Sequence, residues 1–556
     1  MKKGLMFAHS YGRYHDADYA YEVVRAEYAR RGIASLDKAT DTVAFESLQG
    51  YDLLVLYSDL GEITGHEEGA LVSWVEAGGA LVALHGATAS FKESAAYHAL
   101  IGSAFINHPP VMLFEVRRAD AEHMVTARLP ESLEVEDELY LLDPRADFHT
   151  LMTARYLGKS VPITYVREQG RGRVFYCGLG HARPTLDHPR FRDIVCYGAR
   201  WALGQRPRPD VRVGLVGYGP AFGMGHVHGT LASATPGMRL AAVCDLDPRQ
   251  TEAAQRDFPG IRAYGHVEEL AADPDVDFAV VILPHHLHAA VAGQLLDAGK
   301  HVMTEKPFVI KAADGAALIE KARAKGLTLT VFHNRRWDRD FIVLRHIVES
   351  GEIGEPYHFE AFLAGYGHPG YWWRSDTEVS GGLMYDWGAH GTDWGLNIIR
   401  DDVDYVMGWS QKRRWFDVSN DDAAKMVAHF KGGQLLDIEF GNLSAAGKPF
   451  MRVLGTKGAI EVQPRHRKLE HSLLVYREGE RGLVEEVVPY GPEPGEKTEG
   501  WGSWSLVADM YRGLADHFLL GDPVPVTPES ANRVIGIIEA ATLSALSGRP
   551  EPPTYW

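Results

Sequence analysis

Three residues in the second half of the chain have side chains that could move a proton and stabilise a developing alkoxide: Lys306, Asp386 and His390. Asp386 and His390 are four positions apart, so both lie on the same face of a helix, one turn apart. Lys306 follows "HVMTE", which we predict to be a strand, so we expect Lys306 at a strand's carboxyl end. Removing a hydride from a carbinol requires a proton acceptor at the hydroxyl, a donor to the alkoxide and a nicotinamide facing the C–H bond. These residue types could supply the first two.

A glycine-rich turn after a short apolar strand indicates where a dinucleotide would bind. Val211–Val216 leads into "GYGPAFGMG", and a helix over about 227–235 follows. This order of strand, turn and helix lets backbone N–H groups approach a pyrophosphate. Gly217 supplies the tight turn and Gly219 the close approach. The third glycine role falls on either Gly223 or Gly225.

The next apolar run predicts which dinucleotide binds. "LAAVCDLDP" (Leu240–Pro248) contains Asp245 at the end of a predicted strand. A carboxylate at this position accepts hydrogen bonds from the adenosine ribose and repels a 2′-phosphate. No arginine follows before Arg249, so we predict NAD in preference to NADP. The alternative is that Asp245 only shapes the turn ahead of Asp247.

The motifs of this half occur together in a known family. "VDFAVVILPHHLHAAVAGQLLDAGKHVMTEKPFVI" contains a buried strand (Phe278–Leu283), a helix and a second strand that ends at Glu305-Lys306-Pro307. With the glycine turn, "HNRRWDRDF" (His333–Phe341) and "SGGLMYDWGAHGTD" (Ser380–Asp393), the chain resembles the glucose–fructose oxidoreductase/inositol dehydrogenase (Gfo/Idh/MocA) family. The resemblance implies a Rossmann domain over 211–330. It also implies a substrate and oligomerisation domain over 331–556, with an open, mainly antiparallel sheet and last helices that pack back on the body.

The resemblance also assigns roles. It implies that His390 is the general acid/base, that Lys306 polarises the reacting oxygen and that Asp386 binds the substrate hydroxyl. The residues expected on the cofactor side, besides the four glycines and Asp245, are Pro284, His288, Glu305 and Lys306. The candidates for contacts with a sugar are Arg336, Asp338, Trp373 and Arg374.

Other interpretations of these residues stay open. His390 could be a capping or core histidine, and the tryptophan-rich stretch could belong to the core. His285, His286 and His288 have the composition of a metal cluster, but we expect them to follow a strand end near the nicotinamide and to open a helix. The segment "GPEPGEKTEGWGSW" (Gly491–Trp504) has the composition of a mobile loop.

The sequence predicts a separate domain over residues 1–205, which a linker at 206–210 joins to the rest of the chain. Apolar runs such as "GLMFAHS", "YDLLVLYSD" and "ALVALHG" alternate with helical patterns, which indicates a doubly wound parallel sheet. Such sheets place function at the carboxyl ends of their strands. Those ends carry His9, Asp59 and His85.

Several segments of this domain resemble the trehalose-utilisation (ThuA-like) domains, which share the class I glutamine amidotransferase fold. The segments are "EAGGALVALHGA" (Glu76–Ala87), "IGSAFINHP" (Ile101–Pro109), "DELY" (Asp137–Tyr140) and "GRGRVFYCGLGH" (Gly170–His181). An amidotransferase needs a cysteine at the sharp turn after the strand at 80–84, because a thiolate there attacks glutamine. This chain has His85 at that turn. We therefore predict no glutaminase activity.

Four polar residues of this domain could form a site: His85, His108, Glu138 and His181. The site could bind a sugar or hold a metal, or the histidines could satisfy buried backbone groups. The sequence leaves these possibilities open, and we assign no metal to the chain on this basis.

Composition excludes several classes of protein. A chain of 556 residues is too long for one core. Its formal charge of −17 argues against nucleic acid or an anionic membrane as a partner. It has no apolar run long enough to cross a bilayer. Its three cysteines, Cys177, Cys196 and Cys244, lack paired spacing, which favours a reducing cytoplasm.

The sequence thus predicts a fusion of α/β and α+β domains: a flavodoxin/amidotransferase-like doubly wound domain, a Rossmann domain and an antiparallel sheet domain. We expect an NAD-dependent oxidoreductase acting on a hydroxyl of a sugar, glycoside or polyol, with a keto-sugar product. The ThuA-like domain would act on the same saccharide or its keto product. The alternatives are an NAD-retaining glycoside hydrolase that forms a transient keto-sugar, and a non-catalytic sugar- or nucleotide-binding regulator. We expect a homo-oligomer, formed through the C-terminal sheet.

Overall fold

The computed structural model describes residues 2–463, 472–479, 482–491 and 504–555, and the side chains of all of these except 504–506. Most of the predicted loop Gly491–Trp504 lies outside the described residues. The chain divides into two compact units, Met1–Pro209 with Asp516–Pro523, and Asp210–Ala515 with Val524–Trp556. Among the described residues, no helix combines the length and apolar composition needed to cross a membrane.

The first unit is built on a nine-stranded sheet with the order β2-β1-β3-β4-β11-β10-β9-β6-β7, and β5 pairs with β8 separately. The strands are β1 (Lys2–Ser10), β2 (Ala34–Ala39), β3 (Leu53–Asp59), β4 (Ala80–Leu84), β5 (Ser103–Asn107), β6 (Met112–Arg118), β7 (Ser132–Asp137), β8 (Leu141–Pro144), β9 (His149–Tyr156), β10 (Lys159–Gln169) and β11 (Gly172–Cys177). The helices are α1 (Ala17–Arg30), α2 (Gly65–Glu76), α3 (Ala95–Ile101), α4 (Arg183–Asp187) and α5 (Pro189–Ala202).

Five neighbouring strands of this sheet, β2-β1-β3-β4-β11, are parallel, as the sequence predicts for a doubly wound domain. Every residue of β3 and β4 is buried, which agrees with their continuous apolar runs. The remaining strands add an antiparallel extension. The link between β9 and β10 is only Leu157-Gly158, and so short a connection can join only antiparallel neighbours.

The second unit begins with a six-stranded parallel sheet of order β14-β13-β12-β15-β16-β17. This is the strand order of a dinucleotide-binding Rossmann domain, so that prediction is confirmed. The strands are β12 (Val211–Val216), β13 (Met238–Cys244), β14 (Arg262–Tyr264), β15 (Phe278–Val281), β16 (His301–Thr304) and β17 (Leu329–Val331). The helices are α6 (Met224–Ala234), α7 (Pro248–Asp257), α8 (Val267–Ala272), α9 (His288–Asp297) and α10 (Ala312–Lys325).

The strand register places the expected cofactor residues at one edge of this sheet. Val216 aligns with Cys244 on one side and with Val281 on the other, and Val281 aligns with Thr304. The carboxyl ends of β12, β13, β15 and β16 are therefore level. Lys306, two residues beyond β16, lies at the same edge as the glycine turn that follows β12.

The remainder of the second unit is an eight-stranded sheet, β19-β20-β21-β18-β22-β23-β24-β25, in which only the β18–β21 pair is parallel. The predicted, mainly antiparallel sheet is confirmed. The strands are β18 (Pro356–Ala364), β19 (Val403–Gln411), β20 (Ala423–Phe430), β21 (Leu435–Gly441), β22 (Met451–Gly455), β23 (Gly458–Val462), β24 (Ser472–Gly479) and β25 (Gly482–Pro489). The helices are α11 (Arg339–Glu349), α12 (Thr377–Ser380), α13 (Leu383–Ile398), α14 (Trp504–Leu520) and α15 (Pro528–Ser547). Helix α13 packs on β18 and β21, and α15 packs on β19.

The three cysteines are unpaired and buried. Burial raises the pKa of each thiol to about 12, so they stay protonated near neutral pH and are poor nucleophiles. The turn after β4 carries His85, whose φ of 42° is in the left-handed region. The sharp turn predicted there is present, with an imidazole where an amidotransferase has its thiol.

Candidate functional site

The structure brings Lys306 and Asp386 into contact although they are far apart in sequence. The Lys306 Nζ atom lies 2.6 Å from Asp386 Oδ1 and 3.2 Å from the Asp386 carbonyl oxygen. Burial lowers the pKa of Lys306, and the carboxylate opposes that shift. Burial also disfavours the Asp386 carboxylate, but the charges of Lys306 and Arg374 hold its pKa well below the usual range. The site therefore keeps a charged pair at the level of the Rossmann strand ends.

His390 lies one turn after Asp386 on α13 and is only 4% exposed. Burial, and then the positive charges of Lys306 and Arg335, hold the pKa of His390 well below its usual range. The imidazole is therefore neutral at physiological pH. No atom of the described residues hydrogen-bonds to its Nδ1. A neutral, buried imidazole beside an ammonium group can accept a proton from a substrate hydroxyl.

His333 is a second buried histidine beside His390, and the sequence pattern did not single it out. The two ring centroids are 6.5 Å apart. Burial is the main reason why the pKa of His333 falls to about 4. Among the described residues neither of its ring nitrogens has a hydrogen-bond partner. Its position directly after β17, at the edge where the other site residues lie, is the signal that could have identified it.

Arg374 makes a second cationic contact with Asp386. Its Nη1 atom donates a hydrogen bond of 3.1 Å to Asp386 Oδ1. The guanidinium carbon lies over three aromatic rings, those of Phe222 at 4.4 Å, Trp373 at 5.1 Å and Trp372 at 5.4 Å. Phe222 belongs to the glycine turn, so this cation–π cluster joins the expected cofactor loop to the expected substrate residues.

The four glycines of the turn have different surroundings. Gly217 has φ 102°, and a Cβ there would lie 2.2 Å from the Ile282 carbonyl oxygen, so only glycine fits. Gly219 faces open space, since a Cβ at that position would have no neighbour within 4 Å among the described residues. Gly223 has φ 61° and caps α6. A Cβ on Gly225 would lie 2.7 Å from the Tyr218 ring, so Gly225 allows the start of the helix to pack closely against the turn.

Asp245 follows β13 and holds the glycine turn. Its Oδ2 atom accepts a hydrogen bond of 2.7 Å from the Tyr218 amide, and its Oδ1 atom accepts one of 2.9 Å from the Asp247 amide. The turn-forming role considered for Asp245 is thus present. Each oxygen retains a second lone pair that could accept a ribose hydroxyl.

Glu305 takes part in a buried chain of polar groups that the sequence did not reveal. Its Oε1 atom lies 3.1 Å from His228 Nε2, and its Oε2 atom accepts the Lys306 amide at 3.0 Å. His228 Nδ1 lies 2.6 Å from the Tyr511 hydroxyl. Helix α14, far along the chain, therefore helps to fix the segment that carries Lys306. The bond between His228 and Tyr511 joins distant parts of the sequence, and no local pattern could reveal it.

The histidines after β15 bond to the backbone. His288 Nδ1 lies 2.8 Å from the Pro307 carbonyl oxygen, and its Nε2 lies 2.9 Å from that of Leu283. His285 Nδ1 lies 2.7 Å from the Ser380 carbonyl oxygen. As expected, His288 opens helix α9. Pro284 precedes this cluster at the sheet edge.

Two of the expected sugar-binding residues form ion pairs within the protein. The Arg336 guanidinium donates to both carboxylate oxygens of Asp393, at 2.8 and 2.6 Å. Asp338 Oδ2 accepts from Arg335 at 2.8 Å. The two hydrogen bonds of the Arg336–Asp393 pair fix the orientation of both side chains. Arg336 and Asp338 are thus engaged beside the site, whereas Arg374 contacts Asp386 directly.

All four polar residues predicted for the first unit come together around one carboxylate. Glu138 lies 3.1 Å from His181 Nδ1, 3.4 Å from His85 Nε2 and 3.4 Å from His108 Nε2. The structure adds His15, whose ring centroid is 4.8 Å from that of His85. The strand pattern selected His9, at the end of β1, and missed His15 in the loop that follows.

Three segments of the chain match models of known protein families. Residues 3–202 match the model for trehalose utilisation (ThuA) domains. Residues 211–333 match the model described as "Oxidoreductase family, NAD-binding Rossmann fold" of Gfo/Idh/MocA proteins, and residues 341–461 match the Gfo/Idh/MocA C-terminal domain.

Two curated proteins illustrate the similarity. The uncharacterized oxidoreductase YdgJ of Escherichia coli K12 is 32% identical over 206 residues, 37% of this chain and 58% of that protein. The match thus spans less than two thirds of YdgJ. The scyllo-inositol 2-dehydrogenase (NADP(+)) IolW of Bacillus subtilis is 28% identical over 361 residues, 62% of this chain and 97% of that protein.

A solved structure, described as a putative oxidoreductase from Klebsiella pneumoniae, matches with a TM-score of 0.51 and 26% identity. The match covers 62% of this chain and 96% of that one. Family models, curated relatives and this structure all point to the same assignment. The chain joins a ThuA domain to the two domains of the Gfo/Idh/MocA oxidoreductase family, and it belongs to that family over residues 211–333 and 341–461.

Proposed function

We propose that the second unit is an NAD-dependent oxidoreductase that converts a CH–OH group of a sugar, glycoside or polyol to a ketone. The observation that carries this proposal is the contact of 2.6 Å between Lys306 and Asp386, with neutral, buried His390 one helical turn away. A cation, a carboxylate and a proton acceptor at the carboxyl edge of a Rossmann sheet are what alcohol oxidation beside a dinucleotide requires.

The residues present fit the dinucleotide that the Rossmann domain implies. Gly217 permits a turn that a side chain would block, and Gly219 leaves open space above the loop. The amides at the start of α6 are available to a pyrophosphate, as at other helix N-termini. When bound, NAD⁺ supplies a hydride acceptor.

The chain's own groups then have distinct tasks. Asp386 and Lys306 orient the substrate hydroxyl, and the ammonium group stabilises negative charge as it develops on that oxygen. His390 takes the hydroxyl proton. The C–H hydrogen leaves with its electron pair as hydride, so the balance is a carbinol and NAD⁺ giving a ketone, NADH and one proton. In the reverse direction His390 returns the proton.

A cavity beside the catalytic helix has the lining that a saccharide needs. It has a volume of about 520 Å³ and is lined in part by Trp387, whose ring centroid lies 5.6 Å from that of His390. Its other lining residues include Tyr366, Asn442, Ser444 and Lys448. Aromatic faces pack on the C–H side of a sugar, and the polar groups bind its hydroxyls. IolW, by its name, acts on scyllo-inositol, a ring polyol of this chemical class.

The ThuA domain acts, in this proposal, on the same saccharide or on its keto product. Covalent fusion keeps the two domains at a high effective concentration. We also propose a homo-oligomer formed through the C-terminal sheet. This sheet carries exposed large apolar side chains, among them Tyr357, Trp409 and Leu483. Light scattering after size-exclusion chromatography would measure the subunit number, and a monomer would contradict this part.

The activity is tested by incubating the full chain with NAD⁺ and a panel of monosaccharides, disaccharides and inositols. NADH absorbance and product mass spectrometry are the readouts. We expect stoichiometric NADH and a product two mass units lighter than the substrate. Cleavage of a disaccharide without net NADH would support instead the NAD-retaining glycoside hydrolase. Binding of NAD⁺ with no turnover of any substrate would favour a non-catalytic regulator.

A further inference from the structure

We propose that the ThuA domain binds one divalent transition-metal ion of the zinc class in a three-histidine, one-carboxylate site. The ligand atoms would be Nε2 of His15, Nε2 of His85, Nδ1 of His181 and a carboxylate oxygen of Glu138. These four residues each offer a ligand atom, and all of the atoms lie within 4.8 Å of one another. This proposal departs from the sequence-based expectation, which assigned no metal to the chain.

The distances agree with those between the ligands of a tetrahedral ion. Bonds of about 2.1 Å from a tetrahedral zinc ion separate neighbouring ligand atoms by about 3.4 Å. Glu138 Oε2 lies 3.1 Å from His181 Nδ1 and 3.4 Å from His85 Nε2. Two edges of the tetrahedron are therefore already formed.

The imidazole nitrogens of the cluster form no hydrogen bonds of regular geometry, although two of them lie within ion-pair distance of Glu138. Among the described residues, His15 Nε2, His85 Nε2 and His181 Nδ1 are buried atoms without a hydrogen-bond partner. His85 is fully buried, and the His15 side chain is only 4% exposed. Buried imidazole nitrogens without partners are costly. Their arrangement is explained if they point at a common centre between them rather than at each other.

Hydrogen bonds from the Nδ1 atoms of two of the imidazoles orient those rings as metal ligands. His15 Nδ1 donates to Asp59 at 2.7 Å, and His85 Nδ1 donates to the Gly178 carbonyl oxygen at 2.8 Å. Because each acceptor requires a proton on Nδ1, the lone pair of the neutral ring is on Nε2, the atom that faces the cluster. A carboxylate or backbone carbonyl behind the metal-binding imidazole is the usual second contact of such ligands.

Asp59 is itself held by the backbone and by a hydroxyl. It accepts from the Gly12 amide at 2.8 Å and from the Ser10 hydroxyl. The group that orients His15 is therefore itself fixed in position.

The backbone at His85 is constrained to present the imidazole. Its φ of 42° is rare for a residue with a side chain. A Cβ on the next residue, Gly86, would lie 2.6 Å from the Ser58 carbonyl oxygen, so the turn is tightly enclosed. Strained conformations of this kind persist where the surrounding structure determines them, and they cluster at functional sites.

The donor atoms of the cluster indicate the class of ion. Three nitrogen donors and one oxygen donor suit zinc and its neighbours in the first transition row, whereas calcium and magnesium prefer oxygen.

A second group of potential ligands serves as an internal comparison. His358, Glu360 and Asp437 in the C-terminal sheet also offer close ligand atoms. There the carboxylates already have cationic partners, since Glu360 pairs with Arg452 and Asp437 lies 2.8 Å from Lys425. We expect no bound ion at this group.

The test measures metal content and affinity on the full chain. Protein stripped with a chelator and titrated with zinc chloride against a chromophoric competitor should bind about one ion tightly per chain. His85→Ala and Glu138→Gln should each remove that site. Asp59→Asn should weaken it by about 10–100-fold, because Asp59 acts only through His15. His358→Ala should leave the tight site unchanged, as should His149→Ala at an exposed position of the first unit.

Cobalt(II) provides a readout that does not depend on the alanine variants folding perfectly. The wild-type protein loaded with Co²⁺ should show the visible absorption bands of a tetrahedral nitrogen–oxygen site, and Glu138→Gln should change or remove them. Zinc should also raise the melting temperature of the wild type and not that of His85→Ala. Stripped wild-type protein that binds no zinc at micromolar concentration would overturn the proposal. So would zinc binding that survives in both His85→Ala and Glu138→Gln.

Discussion

In the proposed reaction, Lys306, Asp386 and His390 have different tasks because their surroundings differ. Burial favours the neutral form of all three side chains. It lowers the pKa of Lys306 and of His390, whereas Asp386 stays charged because the neighbouring cations outweigh burial. A neutral imidazole and a charged ammonium can coexist here because their ordinary pKa values differ by several units. In the proposed reaction, that difference allows His390 to accept the proton while Lys306 stabilises the alkoxide.

Removing either group should impair the chemical step and spare cofactor binding. We expect His390→Ala to lower kcat by about 10²–10⁴-fold, the usual value of a general base, and Lys306→Ala by a similar factor. NAD⁺ affinity should persist, since the glycine turn and Asp245 lie outside this pair. Stopped-flow kinetics and titration calorimetry measure the two effects. The exposed His286→Ala is the control. A His390→Ala protein with near wild-type kcat would refute the assignment.

The dependence of kcat on pH should reflect the protonation state of Lys306. Burial lowers the pKa of Lys306, and the charge of Asp386 opposes that shift. Asp386→Asn removes the charge, so the pKa of Lys306 should fall further and the ammonium should be lost at lower pH. We expect the alkaline limb of the kcat profile to move to lower pH in this variant, in addition to a lower maximum. Asp417→Asn, at a surface position, should leave the limb in place. A shift toward higher pH would contradict the proposed coupling.

Asp245 should determine the choice between NAD and NADP. Its carboxylate, fixed by the amides of Tyr218 and Asp247, would repel a 2′-phosphate. We expect calorimetry to show tighter binding of NAD⁺ than of NADP⁺, and we expect Asp245→Ala to narrow the difference. Equal or tighter binding of NADP⁺ by the wild type would overturn this prediction. Measuring both cofactors is informative because the relative IolW is named as an NADP(+) enzyme.

Among the secondary-structure elements, the loop between β12 and α6 combines a structural and a binding requirement in neighbouring glycines. Gly217 has no room for a Cβ, while a Cβ on Gly219 would meet none of the described residues. The register of the Rossmann strands then brings this loop level with the end of β16. We therefore propose that cofactor binding at this edge depends on these two glycines for different physical reasons.

Alanine substitutions should distinguish the structural requirement at Gly217 from the binding requirement at Gly219. Gly217→Ala should lower the melting temperature, since positive φ and a contact of 2.2 Å with the Ile282 carbonyl together cost about 1–3 kcal/mol or more. Gly219→Ala should leave the melting temperature of the apo-protein nearly unchanged and weaken NAD⁺ binding. Thermal unfolding and calorimetry measure both. If Gly219→Ala binds NAD⁺ as tightly as the wild type, the pyrophosphate does not approach at that position.

Across the whole molecule, buried neutral histidines make stability depend on pH. His333, His390, His285, His288 and His15 all have lowered pKa values, chiefly through burial. The unfolded chain binds these protons near pH 6.5, and the folded chain does not. A depressed histidine pKa therefore gives stability that is complete above the unfolded value and decreases as pH falls below it.

The melting temperature should consequently fall as pH decreases from 6.5 toward 5. For His333, with a pKa of about 4 in the folded state, the loss by pH 5 is about 2 kcal/mol. His333→Gln, which cannot be protonated, should make the decrease shallower. His149→Gln, at an exposed position, should not. A melting temperature that rises between pH 6.5 and 5 would contradict the prediction.

Local pattern in the sequence accounts for the parts of the site that depend on neighbouring residues. The spacing of Asp386 and His390, the placement of Lys306 after a strand and the glycine turn after Val216 follow from short-range periodicity, which residue type largely fixes. The parallel sheets of both units followed from the alternation of strands and helices. His85 was identified because it replaces an expected cysteine at one turn.

Which of these groups meet depends on the tertiary fold. His15 rather than His9 joins His85 around Glu138, because the loop after β1 returns toward the strand edge. Tyr511 reaches His228 and thereby Glu305 from a helix near the end of the chain. Such contacts depend on how complete elements pack, and packing is set by long-range burial and shape rather than by the pattern of any short segment. The sequence therefore identifies residues capable of chemistry, whereas their partners, protonation and metal-binding geometry arise only in the folded chain.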